Sequence, residues 1–233
     1  MGLESRFRAT GVARAVLLAA MLIAGGCGGD SHSDGSRQAD LGRDPGDGEA
    51  DLQMLDPAMQ PLRKDFEDAY GRTRLVAVLS STCSDCLQSS RNLYQAGLKR
   101  LHDAGVEVFF VWGTVLPSDT RVKAKTLAEE MYWPGLHHYY DPSGRTTRAF
   151  GRTMGLGPNT NGYDIFFLYG PDATWDPDGK MDEEPADFNV ASVLWAPSRP
   201  EHWWGDPERY PGMRRMWVGE VLEAAGLDTL AAE

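Results

Sequence analysis

Leu75-Val76-Ala77-Val78-Leu79 runs directly into Ser80-Ser81-Thr82-Cys83-Ser84-Asp85-Cys86. A short, continuous apolar run without polar alternation is the pattern of a strand buried on both faces. Beyond Cys86 the period changes. Leu87, Tyr94, Leu98 and Leu101 recur at helical spacing, and Ala104-Gly105 offers a stop at which glycine can take the left-handed conformation. A C-x-x-C therefore stands at the junction of a buried strand and an amphipathic helix, and its cysteines open that helix.

Downstream, strand-like and helical patterns alternate, which predicts an α/β sandwich with a partly parallel sheet. Residues 106–112 form a second buried-strand candidate, and Pro117-Ser118-Asp119 predicts the N-terminal cap of a helix running to about Trp133. A short strand over residues 137–140 follows, then a turn at Asp141-Pro142-Ser143-Gly144, a brief helix through Phe150 and the strand Ile165-Phe166-Phe167-Leu168-Tyr169. Gly170-Pro171-Asp172 closes that strand as a turn. Residues 175–210 are rich in Trp and Pro and show no period; the simplest role for Trp175, Trp195, Trp203 and Trp204 is to pack a loop cover over the sheet, with a recognition surface as the alternative. At the C-terminus Met213, Trp217 and Val221 share the face of an expected helix that ends before Gly226.

The position of the cysteines implies chemistry. Disulfide exchange needs a thiolate, and a cysteine of ordinary pKa, about 8.5, is mostly protonated at neutral pH. At a helix N-terminus the unpaired amides and the dipole favour negative charge, so Cys83, in the exposed first position, is expected to have a lowered pKa. Cys86 lies three residues on, deeper in the first turn, and within reach of Cys83 for a disulfide. Cys83 is thus the expected attacker and Cys86 the resolver. Asp85, between them, is a candidate for redox tuning, because its carboxylate disfavours a neighbouring thiolate.

The strand over residues 75–79, the Cys83-Ser84-Asp85-Cys86 motif and the helix after it resemble the thioredoxin superfamily. Tyr140-Asp141-Pro142-Ser143-Gly144-Arg145 through Phe150-Gly151 is similar to the Asp-x-x-Gly segment of its membrane-tethered reductases and peroxiredoxin-like proteins. The likeness covers roughly residues 60–175 together with the C-terminal helix. It implies a thioredoxin-like three-layer sandwich with a mixed central sheet and a C-terminal loop extension, acting as an envelope thiol-disulfide oxidoreductase on protein thiols or a small oxidant, with no organic cofactor. Three positions depart from the family: Thr82 stands where Trp is usual before the first Cys, Ala77 where a buried acid is usual, and Asn161-Gly162-Tyr163 where a cis-proline precedes the facing strand, the nearest proline being Pro158.

Two rival classes remain. Two thiolates and a histidine can bind copper, as in thioredoxin-fold copper-delivery proteins, which use a longer Cys spacing; His137, His138 and His202 are the candidates. The other rival is a non-catalytic binding module in which the pair is a structural disulfide.

The N-terminus supplies a compartment. Residues 1–14 are a basic region, 15–23 an apolar one, and Ala24-Gly25-Gly26-Cys27 a small-residue cleavage site closed by cysteine. This resembles a bacterial lipobox, which implies diacylation of Cys27 and anchoring to a membrane on the periplasmic or extracellular side; the alternative is a plain secreted protein with a spare thiol. Residues 28–51 are rich in Gly, Asp and Ser, too polar to offset their ordering entropy, so residues 27–53 are read as a flexible tether and 54–233 as the folded domain. The chain of 233 residues carries a net charge of −11, and removal of residues 1–26, with three Arg and one Glu, leaves 20 basic against 33 acidic residues, or −13. Such a surface repels nucleic acid, which is excluded as a partner.

Overall fold

The computed structural model describes residues 50–154, 156, 160–175 and 202–227. Its centre is the predicted buried strand. β2 (Arg74–Ser80) is fully buried along its length, pairs in parallel with β3 (Glu107–Gly113) and antiparallel with β5 (Ile165–Tyr169). β4 (Leu136–Asp141) adds in parallel to β3, and β1 (Leu52–Met54) in parallel to β4. A two-residue strand, β6 (Trp203–Trp204), completes the other edge, antiparallel to β5. The sheet order is β1-β4-β3-β2-β5-β6.

Period-two alternation sends neighbouring residues of each central strand to opposite faces. Leu75, Ala77 and Leu79, with Phe110, Trp112 and Phe166, meet one helical layer; Val76 and Val78, with Phe109, Val111 and Phe167, meet the other. The first layer consists of α2 (Ser84–Ala96), α3 (Leu98–Asp103), α4 (Arg121–Glu130) and α6 (Val218–Ala224); the second of α1 (Leu62–Asp68) and α5 (Arg145–Thr153). The chain is thus a mixed α/β fold in three layers, compatible with the thioredoxin-like sandwich. No helix among the described residues is long and apolar enough to cross a membrane.

Several local expectations are corrected. Residues 52 and 53, expected in the tether, belong to β1, because the short edge strand is held by pairing with β4 rather than by its own propensity. The helix after the cysteines breaks at Gly97, where an added Cβ would stand 2.7 Å from Val218 Cγ1, so the break lets α6 approach closely. The helix after β3 is capped by Thr120, whose hydroxyl accepts from the Lys123 amide, and not by Asp119. Among the described C-terminal residues the helix covers 218–224; Trp217 is the exposed residue before it, and Met213 packs on the opposite face of the sheet.

The Trp cover is partly described. Trp175 and Trp204 are buried, the first edge-on to Phe66 and the second donating from Nε1 to Glu220 at 3.1 Å. Trp195 lies outside the described residues, as do Cys27 and Pro158.

Candidate functional site

The C-terminal end of a parallel strand is where a loop can carry function on a fixed base. β2 ends at Ser80, and the loop Ser81-Thr82 delivers Cys83 in an extended conformation (φ −74°, ψ 125°) as the N-cap of α2. Cys86 follows in the first turn. Cys83 keeps 8% of its surface exposed and Cys86 none, so the expected order of access holds, although Cys83 is less open than its first position suggested. Both are free thiols.

Their environments pull in opposite directions. Cys83 is lowered from an ordinary 9.0 to about 6: the Cys86 thiol donates to its sulfur, and the amides of Cys86 and Asp85 reinforce this, against burial and the nearby Asp164 charge. Cys86 is raised well above 9.0, chiefly by burial, then by its hydrogen bond to Cys83 and the charge of Asp164; the Ser80 amide, 3.3 Å from its sulfur, works the other way. One proton is therefore held by the buried sulfur, and negative charge collects on the accessible one.

Asp85, the redox-tuning candidate, stands in the first turn of α2. Its side chain is exposed, and its part in lowering Cys83 comes through its backbone amide, while its charge raises Asp164. The carboxylate that disfavours the Cys83 thiolate is that of Asp164, the residue just before β5, which sits in the left-handed region (φ 58°). Asp164 is 7% exposed, accepts from Ser89 Oγ at 2.8 Å, and has its pKa raised, first by burial.

A second buried acid, Asp119, lies on the other side of the cysteine loop, 5% exposed. It accepts from the hydroxyls of Ser80 (2.8 and 3.0 Å), Ser81 (3.2 Å) and Thr82 (2.7 Å) and from the amides of Val115 (3.0 Å) and Leu116 (2.7 Å). Burial opposes its ionisation, but these donors overcome it and the pKa is lowered. Ser80 Oγ in turn accepts from the amides of Cys83 (3.1 Å) and Thr82 (3.3 Å).

Residues 161–163, in the place expected for the family's cis-proline, are held by Tyr210, whose hydroxyl accepts from the Tyr163 amide at 3.0 Å and lies 3.0 Å from the Tyr163 carbonyl. Gly162 packs so closely on α5 that an added Cβ would meet Gly151 N at 2.9 Å. The Cys83 charge reaches Tyr163, and the Arg209 guanidinium stacks 4.4 Å from its ring. Beside the pair a groove of about 540 Å³ runs along α2, lined by Asp85, Ser89, Asn92, Asp164, Asp206 and Trp217 among others.

Two of the three histidines expected for copper stand away from the cysteine loop. His137 and His138 lie on β4; His137 Nε2 is 3.1 Å from Glu107, and His138 Nδ1 accepts from Trp112 Nε1 at 3.2 Å, buried and lowered to about 4 chiefly by that burial. No group of three or more His, Cys, Asp or Glu side chains among the described residues is arranged to hold a metal ion. Asp119, Ser80, Asp164 and Tyr163 were not singled out for chemistry in the sequence. The chain matches no protein-family model, and no curated protein matches it.

Proposed function

We propose that this chain is a thiol-disulfide oxidoreductase of the thioredoxin superfamily that works through Cys83 and Cys86. The Cys83 thiolate attacks one sulfur of a substrate disulfide; a mixed disulfide forms and the other substrate sulfur leaves as a thiolate. Cys86 then loses its proton and attacks Cys83 Sγ. The substrate leaves as a dithiol that has taken two electrons from the pair, one proton from Cys86 and one from solvent, and the Cys83–Cys86 pair becomes the disulfide. Run backwards, the same steps oxidise a dithiol.

The observation that carries the reading is the asymmetry of the pair: a partly accessible sulfur with a pKa of about 6 next to a fully buried one raised well above 9.0. A structural disulfide needs no such division. We propose further that Cys27 is lipidated, which puts this chemistry in the cell envelope.

Expression of Cys86→Ser and Cys83→Ser variants in cells tests the roles. Cys86→Ser is expected to accumulate mixed disulfides with partner proteins, separable by reducing agent on gels, and Cys83→Ser is not. Equal trapping by both variants would refute the assignment of attacker and resolver.

A further inference from the structure

Ser80 touches both cysteines: its amide faces Cys86 Sγ at 3.3 Å, and its hydroxyl oxygen accepts the Cys83 amide at 3.1 Å. A serine hydroxyl has one hydrogen to give and two lone pairs. In this loop the hydrogen is directed to Asp119, with Oδ1 at 2.8 Å and Oδ2 at 3.0 Å, which leaves the lone pairs for the amides of Cys83 and Thr82. Tied back in this way, Cys83 takes its extended N-cap geometry, and its sulfur meets the amides of Asp85 and Cys86.

Asp119 is suited to this and to little else nearby. It does not cap α4, a task left to Thr120. It accepts instead from three successive side chains of the cysteine loop and from two amides of the loop after β3. Those two amides both hold Oδ2. The three loop hydroxyls meet Oδ1, so the position of the cysteine loop is referred to β3 through a single acid.

We infer that Asp119 is a positioning residue of the dithiol site, acting through the Ser80 hydroxyl to hold Cys83 over the first turn of α2. This rests on the proposal that Cys83 is the attacking thiolate. It is distinguishable from two simpler roles. If Asp119 only stabilised the fold, its loss would lower the melting temperature and leave the reactivity of folded Cys83 unchanged. If it acted only as a nearby negative charge, its loss would make Cys83 more acidic. Positioning predicts the reverse, because the sulfur loses its amide donors.

The test is the pH dependence of Cys83 alkylation by iodoacetamide, read by peptide mass spectrometry in the full chain, for the native protein and for Asp119→Asn, Ser80→Ala and the double variant. The native midpoint is expected near 6. Each single variant should raise it by about one to two units, a fall in thiolate at pH 7 of roughly two- to ten-fold. The double variant should shift no further than the larger single one, since both break the same path. Ser80→Ala leaves the Asp119 bonds to Val115 and Leu116 in place, so it remains informative if Asp119→Asn does not fold. An unchanged or lowered midpoint in either folded single variant, or additive shifts in the double variant, would each overturn the inference. A native midpoint near 6 with no turnover of any disulfide would instead sink the oxidoreductase proposal and leave the positioning role standing.

Discussion

Replacing Cys86 by Ala removes the group with the largest share in holding Cys83 down at about 6, the thiol that donates to its sulfur, while keeping the backbone amides of residues 85 and 86. A hydrogen bond to a charged acceptor contributes about 1.5–3 kcal/mol. At 1.36 kcal/mol per pKa unit this is roughly one to two units. The Cys83 midpoint should therefore move from about 6 to about 7–8, and its thiolate fraction at pH 7 should fall from about nine-tenths to between about a half and a tenth. Thiolate absorbance at 240 nm, followed against pH, reads this directly. Cys86→Ser provides the control, since its hydroxyl can donate in place of the thiol and should leave the midpoint below that of the Ala variant. A midpoint that stays at 6 in Cys86→Ala would show that the helix-end amides alone set the thiolate, and the division of labour between the two sulfurs would be refuted.

Asp164→Asn should lower the Cys83 alkylation midpoint below that of the native protein, because the variant lacks the charge that raises both cysteines. It should also raise the melting temperature at neutral pH. The folded Asp164 binds its proton more tightly than the unfolded one, so stability falls as pH climbs from the ordinary carboxylate value of 3.8 through the raised folded value. Asn keeps an acceptor for Ser89 and removes that penalty; a lower melting temperature with an unmoved midpoint would refute both points. Cys27→Ala should release the exported protein from membranes, since the acylated sulfur is gone; recovery of the variant in salt-washed membranes would exclude the lipid anchor.

What was legible in the sequence were the elements whose local pattern and final packing agree. The run at residues 75–79 became the middle of β2, and residues 165–169 became β5 with the expected bounds, because an unbroken apolar stretch has nowhere to go but a sheet covered on both faces. Pro117-Ser118-Asp119, expected to cap the helix, failed for a physical reason. Asp and Thr are both good helix caps, and the choice fell to Thr120 only because a strand-end serine and two loop amides claim Asp119. Met213, Trp217 and Val221 keep helical spacing by coincidence, with Met213 drawn to the far face of the sheet. The cysteine pair was visible as a motif, whereas Asp164 is 78 positions from Cys86, and no local pattern links the two.

The topology explains why both acids converge on the pair. Ser80, the last residue of β2, pairs with Gly113, the last of β3, so the loop that follows β3 rises beside the cysteine loop and brings Asp119 to it. On the other flank β5 runs antiparallel, with its first residue, Ile165, opposite Val78, so the residue before it arrives at the same end of the sheet. Asp119 and Asp164 are almost equally buried, yet their pKa values move in opposite directions. Burial is the leading influence against ionisation of both carboxylates, and the opposite outcomes follow the donors and charges that each one meets. Asp119 collects three hydroxyls and two amides, whereas Asp164 has the Ser89 hydroxyl and the more distant Arg209, and also feels the charges of Asp85 and Asp206. One acid is thereby fixed as an anion that can anchor the loop, and the other resists ionisation next to the sulfur where negative charge must collect. The leading influences that lower Cys83 are consequently neutral donors at the start of α2, the Cys86 thiol and two backbone amides, and their aim depends on the backbone of Cys83 that Ser80 holds.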